Sequence, residues 1–190
     1  MTEEPRGMRA DARRNRARVL VAAETVLARE GLGATMRTVA GEAGVGLGTV
    51  YRHFPTQAEL YRAVITERAR RLAERAGPLL TAEDPGEAFF GFLTAVVDDA
   101  ARNKAMADFL TGAGVDVKEG MEDTSRAMRE AVEALMTRAQ RAGAVRADLC
   151  MPELLALLGA LCAAAERGPW AGDLPGRVLG LVYDGCRPRP

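Results

Sequence analysis

Apolar side chains recur at every third or fourth position along most of this chain, the spacing that gathers them on one face of a helix. The first such stretch spans residues 11–30, and Gly31 follows it at a position where helices commonly end. A short second helix is expected after Thr35, whose hydroxyl can cap its first turn, and Gly44 ends it. The sequence lacks the alternation of apolar and polar residues that half-buried strands show. The pattern therefore predicts an all-α fold.

The third predicted helix is short, lying between residues 47 and 54, and Pro55 stops it. Residues 56–59 read Thr-Gln-Ala-Glu, a capping box that opens a long fourth helix reaching about residue 76. A helix as short as the third, ending on hydrogen-bonding side chains, suits a rigid probe held out to a partner. Because the major groove of DNA has the width of one helix, this segment predicts a helix-turn-helix DNA-binding head.

The rest of the chain predicts a helical body. Gly77 and Pro78 break the fourth helix, and five or so further helices are expected at residues 85–102, 105–110, 122–143, 152–167 and 173–186. The whole chain then contains about nine helices. We divide it into a loose arm (residues 1–10), the DNA-binding head (11–55), a connecting helix (56–76) and a ligand-binding and dimerisation body (77–190).

Positive charge is concentrated in the first part of a chain whose formal net charge is zero. Residues 1–75 hold 14 arginines against 9 acidic residues, whereas residues 76–190 hold 12 basic against 17 acidic residues. A basic segment joined to an acidic one predicts nucleic acid as a partner of the first segment only. Arginine outnumbers lysine 24 to 2 in the whole chain, and we attribute this bias to genomic base composition because the acidic part shares it.

Two segments carry a family resemblance. Residues 35–45 read ThrMetArgThrValAlaGlyGluAlaGlyVal and residues 48–54 read GlyThrValTyrArgHisPhe. With the capped helix that follows, they closely resemble the DNA-binding head of the tetracycline-repressor (TetR) family over roughly residues 13–65. Residues 135–149, LeuMetThrArgAlaGlnArgAlaGlyAlaValArgAlaAspLeu, look like the ligand-binding half of many such regulators. The resemblance implies a homodimeric repressor that binds a palindromic operator and releases it when a small-molecule inducer enters the body.

Nine residues are expected to contact double-stranded DNA. Leu47, Gly48 and Arg52 are predicted to face bases, since Gly48 allows close approach and an arginine can bind guanine O6 and N7 together. The other six are expected to contact phosphates or to lie beside them: Thr35, Arg37, Thr49, Tyr51, His53 and Gln57. Arg37 could contact a guanine edge instead.

Some positions near this motif differ from the family or add to it. Gly46 stands where the family commonly has serine, and Gln57 where a lysine often meets phosphate. We therefore expect one hydroxyl contact or cap to be missing and the salt dependence to be lower by about one charge. Arg14, Arg16 and Arg18 are expected to add sequence-independent attraction or to reach the minor groove.

Two further sets of residues are predicted in the body. The first set consists of flexible or aromatic side chains, which can line an inducer pocket or can be ordinary core residues. Its members are Phe89, Phe92, Met106, Phe109, Met128, Met136 and Trp170. The last two helices are rich in small residues, which let helix axes approach closely, and a two-fold mate would complete a four-helix bundle. The expected interface residues are Leu155, Leu158, Gly159, Cys162, Gly180 and Leu181. Dimerisation is also expected because one short helix contacts too few bases to select a site in a genome.

Other functions are disfavoured by what the sequence lacks. We predict no cofactor, metal site or catalytic residue, because the chain has one histidine and three widely spaced cysteines, Cys150, Cys162 and Cys186. The longest apolar run covers residues 154–165, shorter than the ~20 residues of a membrane span, and we expect a cytoplasmic protein. One alternative keeps the DNA-binding role but places it under a partner protein or thiol oxidation. A remote alternative is an enzyme with a DNA-binding head.

Overall fold

The computed structural model describes residues 6–116, 118–167 and 174–188, and these residues form helices joined by short turns. Nine α-helices lie within them, one of which is a single turn. Their bounds are α1 Arg6–Glu30, α2 Met36–Ala43, α3 Leu47–His53, α4 Gln57–Glu74, α5 Ala76–Leu79, α6 Pro85–Gly112, α7 Glu122–Arg141, α8 Met151–Arg167 and α9 Leu174–Cys186. This confirms the predicted all-α class. None of the helices in the described ranges is both long and apolar enough to cross a membrane.

The described residues divide into two compact units. The first unit comprises residues 6–67 and 105–116, and the second unit comprises residues 68–104, 118–167 and 174–188. The divisions fall inside α4 and inside α6, so each of these helices contributes residues to both units.

Some predicted boundaries were wrong. Helix α6 is continuous, although a break was expected between residues 102 and 105. No glycine or proline stands there, and the Asn103 side chain donates to Asp99 one turn earlier rather than competing for the backbone. Helix α1 begins at Arg6, ahead of the start expected at residue 11, because the residues before that point include good helix formers. Helix α4 ends at Glu74, before the Gly77-Pro78 pair that was expected to break it, and the pair lies in the single-turn helix α5.

The first unit is built on the packing of α1 against α2 and α3. Its fully buried side chains come from every one of these helices and from the residue after α3: Val19, Val26, Val39, Val50 and Phe54. Helix α4 adds Tyr61, which meets the ring of Phe109 edge-on with 5.1 Å between ring centroids. The aromatic contact holds α4 to the end of α6 inside this unit.

The second unit has one large apolar core, to which α4 to α9 all contribute. Helix α5 packs on α7, and α8 packs on α9. Two polar side chains of α7 fix the loops around the core. Arg138 donates to the Leu79 carbonyl at 3.1 Å, and Gln140 donates to the carbonyls of Arg146 and Leu149 at 3.1 and 2.9 Å. These bonds tie α7 to the end of α5 and to the segment between α7 and α8.

Candidate nucleic-acid interface

Helix α2 is closed at both ends by local hydrogen bonds. The Thr35 hydroxyl accepts the Thr38 N–H at 3.1 Å, which confirms the predicted N-cap. At the other end Gly44 adopts φ +62°, a conformation that glycine reaches without steric cost. The Val45 N–H donates to the Ala40 carbonyl at 3.1 Å and completes a Schellman turn. The turn between α2 and α3 therefore has one defined geometry.

Arg18 of α1 secures this turn from outside. Its Nη2 donates to the Ala43 carbonyl at 2.7 Å, at the end of α2 where carbonyls carry partial negative charge. A Cβ added to Gly44 would lie 3.1 Å from the same nitrogen. Arg18 thus has a structural partner that the sequence did not reveal, since its 25-residue separation from Ala43 hides the contact.

Helix α3 begins at Leu47, and Gly46 at its N-cap position provides no side-chain cap, as expected from a glycine there. The Gly46 carbonyl accepts the N–H groups of Thr49 at 2.8 Å and Val50 at 3.3 Å. Val50 and Phe54, one turn apart, are buried and fix the helix on the first unit. Burial of an apolar side chain of this size contributes about 1.5–3 kcal/mol. The rotation of α3 about its axis is set by these two residues.

The opposite side of α3 faces solvent. Gly48, Tyr51 and Arg52 are exposed, and Tyr51 retains 47% of its accessible surface although it is a large aromatic residue. Leu47, Thr49 and His53 flank this face and are half-buried. A short helix that presents an aromatic ring, a guanidinium and a glycine to solvent has the side chains needed to contact DNA bases and phosphates.

The remaining predicted DNA contacts fall into two groups. Thr35 and Arg37 are exposed at the start of α2. Gln57 is half-buried, and its Nε2 donates to the Ala34 carbonyl at 2.9 Å and to the Tyr61 hydroxyl at 2.6 Å. An amide carries two N–H groups, and its carbonyl oxygen cannot donate to a phosphate. A phosphate contact by the Gln57 side chain would therefore have to replace one of these two bonds.

The two other arginines assigned to DNA attraction also contact the protein itself. Arg14 forms an ion pair with Asp11 on the same helix. The Arg16 guanidinium carbon lies 5.3 Å from the centre of the Phe54 ring, a cation–π distance. Arg16 thereby covers the aromatic residue that anchors the end of α3. Both side chains have a role in the first unit that does not require DNA.

The predicted pocket residues do not form one group. Phe89, Phe92 and Met136 are core residues of the second unit, and Met128 packs against that core. Met106 and Phe109 belong to the first unit. Trp170 lies outside the described residues.

The second unit also contains open clefts. One cleft of about 620 Å³ includes Phe92 among its lining residues. Another, of about 710 Å³, is lined in part by Phe90, Thr94, Tyr183 and Arg187, and the sequence did not single it out. The Tyr183 hydroxyl donates to the Phe90 carbonyl at 3.0 Å. The sequence feature that could have indicated this cleft is Tyr183, a tyrosine that follows apolar residues in α9.

The predicted dimer contacts differ in exposure. Leu158 is buried in the core of its own second unit, while Leu155, Cys162 and Gly180 are half-buried and Gly159 is exposed. Leu181 retains 75% of its accessible surface. Two leucines that the sequence analysis did not single out, Leu157 and Leu174, are also exposed. They lie on the outer faces of α8 and α9, where an exposed leucine was hard to tell from a core one by spacing alone.

A paired α2 and α3 with a buried anchor and an exposed polar face define a helix-turn-helix DNA-binding protein. Comparison with known families agrees. Residues 19–64 match the family model described as bacterial regulatory proteins, tetR family, and residues 84–188 match the C-terminal domain described as transcriptional regulator SbtR-like. The chain belongs to the TetR family of transcriptional regulators, and its role is to bind DNA.

Solved structures show the same relationship. A TetR transcription regulatory protein from Mycobacterium vanbaalenii is 42% identical, with 95% of this chain and 99% of that chain covered and a TM-score of 0.74. The regulator SCO0520 from Streptomyces coelicolor is 34% identical, and the match covers 92% of this chain and 99% of that one with a TM-score of 0.73. RolR, solved in complex with resorcinol, is 20% identical, and the match covers 93% of this chain and 89% of that one with a TM-score of 0.63. A likeness at this identity shows a shared fold alone. No curated protein matches the chain.

Proposed function

We propose that this chain is a homodimeric repressor that binds a palindromic operator and is released from it by a small molecule. The observation that carries the proposal is the orientation of α3. Val50 and Phe54 bury one side of the helix, and Gly48, Tyr51 and Arg52 occupy the exposed side. The residues expected to contact bases are therefore accessible to a partner, and their helix is held in one rotation.

Each side chain of the face has a distinct role in the proposal. Arg52 donates to guanine O6 and N7 in the major groove, and Gly48 lets the backbone approach the bases. Leu47 makes apolar contact with a base. Tyr51 contacts a phosphate, as do the residues that fix register rather than read sequence: Thr35, Arg37, Thr49 and His53. Gln57 contributes through its position at the start of α4 once one of its internal bonds is exchanged.

Dimerisation through α8 and α9 supplies the second recognition helix. The exposed leucines Leu157 and Leu181 support this, because they line the same open cleft and apolar side chains together on an open surface mark an interaction site. Leu174 of α9 is also exposed. The two α3 helices of the dimer would have to lie about one turn of DNA apart, ~34 Å, to reach both halves of a palindrome.

The small molecule is proposed to bind in the second unit and to be apolar or amphipathic. The cleft that includes Phe92 supports an apolar contact, and the acids beside it, Asp84 and Glu87, supply polar groups at its edge. RolR, which shares the fold, was solved with the phenolic ligand resorcinol. Binding would shift α4, which contributes residues to both units, and so favour a spacing of recognition helices that does not match the operator.

The first experiment is selection of duplexes from random-sequence DNA by the purified protein, followed by fluorescence anisotropy with the selected duplex. The expected result is salt-dependent binding of two subunits per site, much tighter than binding to unrelated DNA. A panel of small phenols that begins with resorcinol is then tested for release of the duplex. Recovery of no preferred sequence would contradict the operator proposal, and an asymmetric site bound by one subunit would contradict the dimer.

A further inference from the structure

Three polar side chains join α4 to α6 inside the second unit. Arg68 of α4 donates through Nη1 to the Asn103 Oδ1 at 2.9 Å, and Asn103 of α6 donates through Nδ2 to the Asp99 Oδ2 at 2.8 Å. We call Arg68, Asn103 and Asp99 the polar clamp. Asn103 is 7% exposed and is the buried polar residue of the described core. A buried amide with both ends bonded fixes its neighbours in direction as well as in distance.

The chemistry of the polar clamp requires a middle side chain that both accepts and donates hydrogen bonds, as an amide does. A guanidinium has donors and no acceptor, and a carboxylate has acceptors and no donor. Asn103 presents its oxygen to Arg68 and its N–H to Asp99, so it satisfies both at once. Aspartate at this position would put two carboxylates together, and leucine would satisfy neither partner. Because of this asymmetry, the clamp specifies one alignment of the two helices.

The groups around Asp99 make the loss of the polar clamp unfavourable. Burial raises the pKa of the Asp99 carboxyl, while Arg102, Arg68, the Asn103 amide and Arg71 act in the opposite direction. The Arg102 guanidinium lies 4.0 Å from the Asp99 carboxylate on the same helix. Removal of the amide would leave a largely buried carboxyl without its hydrogen-bond donor, a loss that typically destabilises the arrangement that contains it.

The clamp also occupies a particular place along its helices. Arg68 is the first residue of α4 that belongs to the second unit, and Asn103 is next to Lys104, the last residue of α6 to do so. In the first unit, α4 rests on α6 through the apolar ring contact of Tyr61 with Phe109. A hydrogen bond depends on the angle at the donor as well as on distance, so the clamp constrains the alignment of the two helices more narrowly than a non-directional apolar contact does.

We propose that the polar clamp is a positioning device that holds α4 in the setting that permits operator binding, and that its release lowers operator affinity. The inference rests on the repressor function proposed above. Without the clamp, α4 is spread over several settings, and the apparent affinity falls with the fraction of molecules in the competent one. The clamp thereby assigns to Arg68, Asn103 and Asp99 a part in controlling DNA binding although none of them belongs to the DNA-binding face of α3.

The test compares four full-length variants of the clamp, and one control variant, with the wild-type protein on the selected duplex and on unrelated DNA. Asn103→Leu and Arg68→Met each break the clamp, and we expect a loss of operator affinity of at least about fivefold, with little change on unrelated DNA. The double variant is expected to lose no more than either single variant, since both remove one chain of bonds. Asp99→Asn keeps an acceptor for Asn103 and should remain within about twofold of wild type.

Arg138→Met is the matched control for lost stability. Arg138 also makes a tertiary hydrogen bond in the second unit, to the Leu79 carbonyl, but it lies on α7 and not on α4 or α6. Urea unfolding of each variant shows how far stability has fallen. Operator affinity that falls in the clamp variants and not in Arg138→Met, at comparable losses of stability, supports the proposal. Should Asn103→Leu fail to fold, Arg68→Met tests the clamp from the α4 side.

Three results would overturn the proposal: equal losses in the clamp variants and Arg138→Met, a loss in Asp99→Asn as large as in Asn103→Leu, or tighter operator binding after the clamp is broken. A wild-type protein that selects no duplex would instead defeat the repressor function, and the role of the clamp in DNA binding with it. The two failures are therefore distinguished by the behaviour of the wild-type protein alone.

Discussion

The guanidinium of Arg18 donates to the carbonyl of Ala43 across 25 residues of sequence, with 2.7 Å between nitrogen and oxygen. The bond joins the middle of α1 to the last residue of α2, immediately before the glycine that turns the chain towards α3. A positive group at the end of a helix is favoured by the helix dipole. Arg18 therefore ties α1 to the end of α2, next to the turn that leads into α3.

Arg18→Met is expected to lower the free energy of unfolding by about 1–2 kcal/mol, because a charge-assisted hydrogen bond at a partly buried site is lost. The measurement is urea unfolding followed by circular dichroism. Arg13→Met, an exposed arginine on the same helix, serves as the control and should change stability little. The salt dependence of DNA binding should be equal in both variants, and a slope smaller by about 0.9 in Arg18→Met alone would instead indicate a lost phosphate contact.

Gly48→Ala separates folding from DNA contact at one position. A Cβ added to Gly48 meets no atom within 4 Å, so the methyl group fits the protein. Alanine inside a helix is favoured over glycine by about 0.5–1 kcal/mol, and we expect a small gain in stability. Operator affinity should nevertheless fall, because the methyl group stands where the backbone approaches the bases.

Gly91→Ala provides the matched comparison for that experiment. Gly91 lies in α6 and also has no atom within 4 Å of an added Cβ. It should show the same gain in stability with no loss of operator affinity. Unchanged operator affinity in Gly48→Ala would show that DNA does not approach α3 at this residue.

Arg52→Ala is expected to weaken binding to the selected duplex by about 1–3 kcal/mol and to relax selection at one base position. The exposed guanidinium on the solvent face of α3 is the reason. Repeating the selection with the variant reads out the relaxed position directly. An equal loss on unrelated DNA would assign Arg52 to the phosphates and leave base recognition to other residues.

The head could be predicted in detail because its signals are local. Thr35, Gly44 and Pro55 mark helix ends within a few residues of where the structure has them, and the residues between them leave one apolar face. Local signals do not report long-range partners. The bonds from Gln57 to Ala34 and from Arg68 to Asn103 join residues far apart in sequence, so nothing in the spacing predicted them.

The body was harder to predict because leucine and alanine fill its helices on more than one side. Leu158 and Leu157 are neighbours of the same chemical type, yet the first is in the core and the second is exposed. Asn103 shows the opposite difficulty, since it lies where the sequence was expected to break between two helices. Its buried hydrogen bonds keep it inside a continuous α6 instead.

Leu181→Glu tests the dimer proposed through α8 and α9. The leucine is 75% exposed in the single chain, so the substitution should leave the protomer folded. In an apolar interface the new carboxylate would lose its hydration without a partner, and we expect dissociation to monomers. Light scattering after size-exclusion chromatography measures the mass.

Leu80→Glu is the control for that substitution, because Leu80 is also an exposed leucine of the second unit but lies outside α8 and α9. It should leave both mass and operator affinity unchanged. A dimeric Leu181→Glu protein would place the interface elsewhere.

The cysteines test whether an oxidant, rather than a small molecule, controls the protein. Cys150 is exposed, whereas Cys186 is buried, and burial raises the pKa of the Cys186 thiol although Arg146 opposes the shift. Because the thiolate is the reactive form, a raised pKa leaves less of it near neutral pH, and reaction should increase only as pH rises beyond the usual thiol range. We expect alkylation near pH 7 to be at least about tenfold slower at Cys186 than at Cys150, as measured by mass spectrometry of digested protein.

Replacement of all three cysteines by serine should leave operator binding in peroxide unchanged from wild type, and loss of peroxide sensitivity in that variant would support thiol control instead.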